Sequence, residues 1–153
     1  TPGRMNIFEF KRFKVMIDFA HNPAGYSAIE DLLSNIDATR KIGIIAGVGD
    51  RRDEDIRELG EISARHFDEI IIRCDKNLRG RTADEIIALL KEGIEKANPT
   101  VPTKVIANEN EALEYIYANP VQGALYTIMC DVVAGALDKI RELKDREDNS
   151  SPN

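Results

Sequence analysis

Short apolar runs alternate along the chain with longer stretches in which apolar residues return at helical spacing. Residues 5–10 and 13–19 read as strands joined through Lys11-Arg12, which predicts a hairpin. Pro23 suits a first helical turn, and Ala28, Ile29, Leu32 and Leu33 give that helix an apolar face. A buried strand is expected over 42–48, followed by a helix on which Ile56, Leu59, Ile62 and Phe67 recur at roughly helical spacing. Residues 69–74 read as a further short strand. Thr82 and Glu85 stand at the spacing of a capping box, and Ile86, Ile87, Leu90 and Ile94 carry that helix on to Asn98-Pro99. A strand over 103–106, a helix over 111–117 stopping before Asn119-Pro120, and a strand over 124–130 follow. Asp131 is placed to cap a last helix carrying Val133, Ala136, Leu137 and Ile140.

Strands that alternate with helices imply crossover connections. The pattern therefore predicts an α/β fold of three layers. A mainly parallel, Rossmann-like sheet of about six strands lies between helices on both faces, and the initial hairpin supplies one antiparallel edge strand. No internal repeat and no second domain boundary is visible. Residues 1–145 read as one domain and 146–153 as a polar, disordered tail.

A chain of 153 residues is long enough to bury a sizeable core. With 42% hydrophobic and 31% charged residues it reads as globular, neither disordered nor fibrous. No apolar run approaches the roughly twenty residues of a membrane span. The opening Thr1-Pro2-Gly3-Arg4 lacks both the apolar stretch of a signal peptide and an initiator Met, so an excised or processed piece is expected. Cys74 and Cys130 lack metal-type spacing and suit reduced thiols in a cytoplasmic protein. The net charge of −6 argues against nucleic acid or an anionic membrane as partner, but leaves room for a local basic pocket.

In open parallel sheets, ligands gather beyond the carboxyl ends of the strands. Three polar segments are expected there, entered from Asp18, Gly47 and Asp75. His21 is either a hydrogen-bonded loop histidine or, with Asp18 and Asn22 beside a helix start, part of a nucleotide site. A carboxylate can accept two ribose hydroxyls, an amide can read a base edge, and a helix N-terminus favours phosphate. Gly47-Val48-Gly49 fits a tight turn as well as a phosphate loop, because the third glycine of the dinucleotide fingerprint and the P-loop pattern are both missing. Arg51-Arg52-Asp53 is either a solvated helix start or part of the site. Over 75–81, Arg79 and Arg81 flank Gly80, which suits a bidentate grip on carboxylate or phosphate; the alternative is a surface turn held by an Asp–Arg pair.

Pro2-Gly3-Arg4, the DFAHNP stretch at 18–23 and the glycine loop with Asp50-Arg51 together resemble the C-terminal domain of the Mur ligase family. The resemblance covers nearly the whole chain. Within the family, PGRMN (2–6), DFAHNPAGY (18–26), GVGDRRDEDI (47–56) and DKNLRGR (75–81) are most similar to the cyanophycin synthetase branch. The peptidoglycan branch usually shows Asp-Asn-Pro-Arg where this chain has Asp75-Lys76-Asn77-Leu78-Arg79, and a Gly-Lys-Gly-His motif where Met129-Cys130-Asp131 stands.

The resemblance implies a domain of an ATP-dependent, amide-forming ligase that works through an acyl phosphate; the alternatives are the C-terminal domain of a peptidoglycan-type ligase and a stand-alone, non-catalytic binding module of the same fold. ATP and Mg2+ would be held mainly by a central domain that this chain lacks, so the chain alone would be inactive. N-terminal and central ligase domains, an amino acid and an acyl phosphate would be its partners, and the full-length protein could form a homo-oligomer. By the same resemblance Asp18 would hold the ribose, His21 and Asn22 would approach the nucleotide, and Arg4 would reach the phosphates on closure. Asp50, Arg51, Asp53 and Asp75 would position the incoming amino acid, and Arg79 and Arg81 would bind a substrate carboxylate.

Overall fold

Among the described residues, six strands and five helices follow one another in the order the hydrophobic pattern predicts. The structure is a computed structural model and describes residues 5–18, 23–47, 51–74, 80–129 and 133–150. The hairpin β1 (Met5–Glu9) and β2 (Lys14–Asp18) leads into α1 (Pro23–Asn35) and β3 (Lys41–Ile45). Then come α2 (Asp53–His66), β4 (Glu69–Arg73), α3 (Ala83–Ala97), β5 (Thr103–Ile106), α4 (Glu109–Ala118), β6 (Leu125–Met129) and α5 (Val133–Ser150).

The sheet order is β1-β2-β6-β3-β4-β5. Only β1 runs antiparallel, with Met5 opposite Asp18 and Glu9 opposite Lys14. The other neighbours are parallel. Strands covered on both faces should read as unbroken apolar runs. Ile70, Ile71 and Ile72 of β4 and all five residues of β6 are accordingly buried. β5 forms the far edge, and its Thr103, Lys104 and Val105 are exposed.

Side chains of alternate parity feed two cores. On one face Ile17, Ile44, Ile71 and Ile128 meet Ala112, Leu113 and Ile116 of α4 and Ala136, Ile140 and Leu143 of α5. On the other, Met16, Ile45, Ile72 and Met129 lie under Ile29 and Leu33 of α1, Ile56 and Leu59 of α2, and Leu90 and Ile94 of α3. The start of α3 follows the sequence cue, and that of α4 is capped by a residue that the sequence pattern does not single out. Thr82 accepts from the Glu85 backbone N–H at 3.1 Å, and Asn108 accepts from that of Glu111 at 2.9 Å.

Boundaries differ from the sequence pattern: β3 ends at Ile45 where a strand to 48 is expected, α4 opens at Glu109 where 111 is expected, and α5 runs through 146–150, which hydrophobicity assigns to a polar tail. Charge and aromatic contacts hold that end, not apolar periodicity. Arg146 forks onto both Glu114 oxygens at 2.8 and 2.9 Å and lies over the Tyr117 ring. The Lys11 backbone N–H donates to Glu147, which ties the helix to the hairpin turn.

Helices α2 and α3 pack backbone against backbone. A Cβ on Gly93 would stand 1.9 Å from the Arg57 carbonyl oxygen, and one on Gly60 would stand 2.3 Å from that of Leu90. Gly93→Ala should therefore destabilise the fold by about 1–3 kcal/mol, despite alanine's better helix propensity. An unchanged urea midpoint would show that the helices can part without cost. A second expectation concerns acid. The hydrogen bonds donated by Arg146 and Lys139 hold the Glu114 carboxyl down from 4.5 to about 2. The stability it contributes is thus complete above about pH 4.5 and is lost as the pH falls through about 2. Glu114→Gln should lower the melting temperature near neutral pH, and the gap to the parent should close as the pH approaches 2.

Candidate ligand site at the carboxyl edge of the sheet

Because β2 through β5 run parallel in the sheet, their carboxyl ends share one edge. β2 ends there in Asp18, β6 in Met129 and β4 in Arg73. β6 sits between β2 and β3, and the helix after it lies on the opposite face from the helix after β3. Strand connections that part to opposite faces leave a crevice at the carboxyl edge, where doubly wound sheets bind ligands.

Asp18 stands beside this crevice and is 8% exposed. Its register partner on β6 is Met129. Helix α1 opens at Pro23, five positions further along, and its first backbone N–H groups and dipole favour an anion nearby. A carboxylate here can accept two hydroxyl hydrogen bonds from one ligand.

A second group joins the segments that follow β3 and β4. Arg81 Nη1 pairs with Asp53 Oδ1 at 2.7 Å, and Arg81 Nη2 donates to the Arg51 carbonyl at 2.9 Å. Asp53 is the first residue of α2, where negative charge complements the helix dipole. Gly80 supplies the turn before this joint with φ +85°, a conformation that favours glycine. The neighbouring Arg52 is spent locally: it pairs with Asp55 at 3.1 Å through two hydrogen bonds. Its side chain is 72% exposed.

A third group was not anticipated from the sequence. Arg73 is buried, its Nη2 donates to the Met129 carbonyl at 3.3 Å, and it lies 3.4 Å from Glu109 Oε2. Glu109 opens α4. The available signal was a charge at the end of the Ile70-Ile71-Ile72 run, inside a strand covered on both faces.

The structure thus brings Arg51, Asp53 and Arg81 into one cluster and sets Asp18 at the same sheet edge. Arg4, His21, Asn22, Asp50, Asp75 and Arg79 lie outside the described residues, as do Gly49 and Asp131. Among the described residues no three His, Cys, Asp or Glu side chains group as a metal site would require. Nor is any described helix long and apolar enough to cross a membrane. At the opposite, amino edge an open groove of about 350 Å³ is lined by Lys11, Arg12, Tyr117 and Glu147.

An open, mainly parallel sheet with helices on both faces defines an α/β domain of the Rossmann-like class. Comparison with known proteins makes this specific. Residues 3–133 match the family described as "Mur ligase, glutamate ligase domain", and the chain belongs to the Mur ligase family as its C-terminal domain. It is 42% identical over 142 residues to cyanophycin synthetase of Geminocystis herdmanii, covering 93% of this chain and 16% of that protein. It is 40% identical over 121 residues to the UDP-N-acetylmuramoyl-L-alanyl-D-glutamate–2,6-diaminopimelate ligase of Caldanaerobacter subterraneus, covering 78% of this chain and 24% of that one. The chain thus spans about a sixth of the length of the cyanophycin synthetases it matches. Among solved structures, a diaminopimelate ligase of the same name superposes with a TM-score of 0.77 at 17% identity, over 97% of this chain and 32% of that one. Folylpolyglutamate synthase of Mycobacterium tuberculosis, complexed with ADP, gives 0.67 at 20% identity, over 92% and 32%. At such identities these two likenesses speak for the fold.

The Arg81–Asp53 contact is partly exposed on the acid's side. A double-mutant cycle on the pair should give a coupling of about 0.2–1 kcal/mol. Zero coupling would mean that the two loops are held together by other contacts.

Proposed function

We propose that this chain is the nucleotide- and substrate-binding C-terminal domain of a cytoplasmic, ATP-dependent, amide-forming ligase of the cyanophycin synthetase kind. In this reading a longer protein supplies N-terminal and central domains, and with them the P-loop and Mg2+. ATP phosphorylates a carboxylate of the growing aspartate-arginine polymer, and an incoming amine attacks the acyl phosphate and releases phosphate. The observation that carries the reading is Asp18, a nearly buried carboxylate at the end of a central strand just ahead of a helix start. The match to cyanophycin synthetases over 93% of the chain supports the choice of branch.

Asp18 would accept the ribose hydroxyls, with His21 and Asn22 near the nucleotide and Arg4 reaching the phosphates as the domain closes. Asp50, Arg51, Asp53 and Asp75 would help place the incoming amino acid, and Arg79 and Arg81 a substrate carboxylate. Arg81 already meets Asp53 and the Arg51 carbonyl, so its part would be to shape that side of the crevice as well as to bind. The 40% identity to a diaminopimelate ligase favours a second reading, a peptidoglycan-type ligase. Arginine and diaminopimelate as competing amine substrates separate the two.

A hydrogen bond to a charged group contributes about 1.5–3 kcal/mol, so losing one should slow the reaction about ten- to a hundredfold. In the intact ligase, Asp18→Ala should lower turnover by that factor while the melting temperature holds. A lowered melting temperature with normal turnover per folded molecule would reduce Asp18 to a helix cap. The chain alone should release no ADP with an aspartate-arginine primer and arginine, and turnover above background would overturn the division of labour proposed here.

A further inference from the structure

We propose that Arg73 is a positioning residue for Asp18, acting through the last residue of β6. Arg73 ends β4, yet its guanidinium donates to the carbonyl of Met129 at 3.3 Å, two strands away, with β3 lying between. The same Nη2 lies 3.4 Å from Glu109 Oε2, so the first turn of α4 backs the contact. A Cβ on Gly135, in the first turn of α5, would stand 3.7 Å from the other Glu109 oxygen. Ends of two strands and starts of two helices thus converge on one buried cation.

Met129 is the register partner of Asp18 in the parallel β2–β6 ladder. Strand alternation sets Arg73 on the face of Ile71, which packs under α4 and α5. Asp18 follows Met16 on the other face, under α1 to α3. The guanidinium therefore acts on Asp18 through the backbone of Met129 and the ladder, not by touching it. A buried ion pair contributes little to net stability but holds its geometry, because losing either partner strands the other's charge. Arg73 is suited to fix where β6 ends, and with it the height of the Asp18 carboxylate above the sheet edge.

The consequence for catalysis rests on the nucleotide reading of Asp18; the coupling itself does not. It is read by NMR on this chain, from the backbone amides of Met129 and Asp18 and the carboxyl carbon of Asp18. Arg73→Met should shift all three and speed amide exchange at the end of β6 about tenfold or more, leaving the signals of α2 and α3 in place. Arg73→Lys, which keeps a cation able to reach Glu109, should restore part of the shift. A folded Arg73→Met with unmoved Asp18 signals overturns the proposal. Should that variant fail to fold, Glu109→Gln, which keeps shape and an acceptor, is measured instead. It should move the Asp18 signals in the same direction by less, and no movement overturns the proposal equally. In the intact ligase, Arg73→Met should raise KM for ATP about threefold or more, with KM for the amino acid unchanged. If Asp18→Ala itself leaves both turnover and KM for ATP unaltered, the nucleotide reading fails while the NMR coupling stands.

Discussion

The insertion of β6 between β2 and β3 is the constraint on which the rest of the molecule depends. β6 is the last strand in sequence, yet it pairs with β2 through five register positions and with β3 through four. Without it the hairpin end of the sheet and the β3-β4-β5 end have no shared ladder. Both cores also lose their centre, since Tyr126 and Ile128 face one set of helices and Leu125 and Met129 the other. The same insertion creates the crevice, because the helices that follow β3 and β6 part to opposite faces. Fold and candidate site thus share one cause.

Charge is distributed unevenly around this frame. On the surface, Glu114, Lys139, Glu142 and Arg146 clamp α4 to α5 and hold the end of α5 against the solvent. Such exposed pairs are individually weak and matter as a network. Among the described residues of the carboxyl edge, two arginine–carboxylate pairs join separate segments. Arg73 with Glu109 ties strand ends to a helix start, and Arg81 with Asp53 ties the segment after β4 to the helix after β3. In both cases the arginine's planar fork meets a carboxylate and a backbone carbonyl, an arrangement that orients the chain more than a lysine's point charge would.

The fold was legible because its strongest signals are local. Continuous apolar runs marked β3, β4 and β6, and Thr82 with Glu85 marked the start of α3. The last turns of α5 were not legible in the same way. Their helical state depends on Tyr117, Glu114 and the Lys11 amide, contacts that hydrophobic periodicity does not register. In the site the same division holds. Asp18 stood out because it closes an apolar strand ahead of a helix-starting proline. Arg73 and Glu109 escaped notice because their pairing joins distant segments and because each alone resembles an ordinary strand or helix end. Arg51, Asp53 and Arg81 were singled out as ligand-binding, and their mutual contacts are of the kind that a loop held by an Asp–Arg pair also predicts.

Helix α5 links the two edges of the sheet. Its late residues hold the β1–β2 turn at the amino edge, through Glu147 on the Lys11 amide and Lys144 on the Glu9 carbonyl. Its first turn lies beside Glu109 at the carboxyl edge. Ile140 and Leu143 anchor the stretch between them in the core, so the helix cannot shift at one end without strain at the other. On the function proposed above, Asp18 meets a ligand shared with other domains, and such a role is served by a crevice set before they arrive. Here the hairpin that carries Asp18, the strand paired to it and the helix that follows that strand form one closed loop of contacts. Preorganisation of the edge therefore follows from the topology, and the arginine–carboxylate pairs refine it locally.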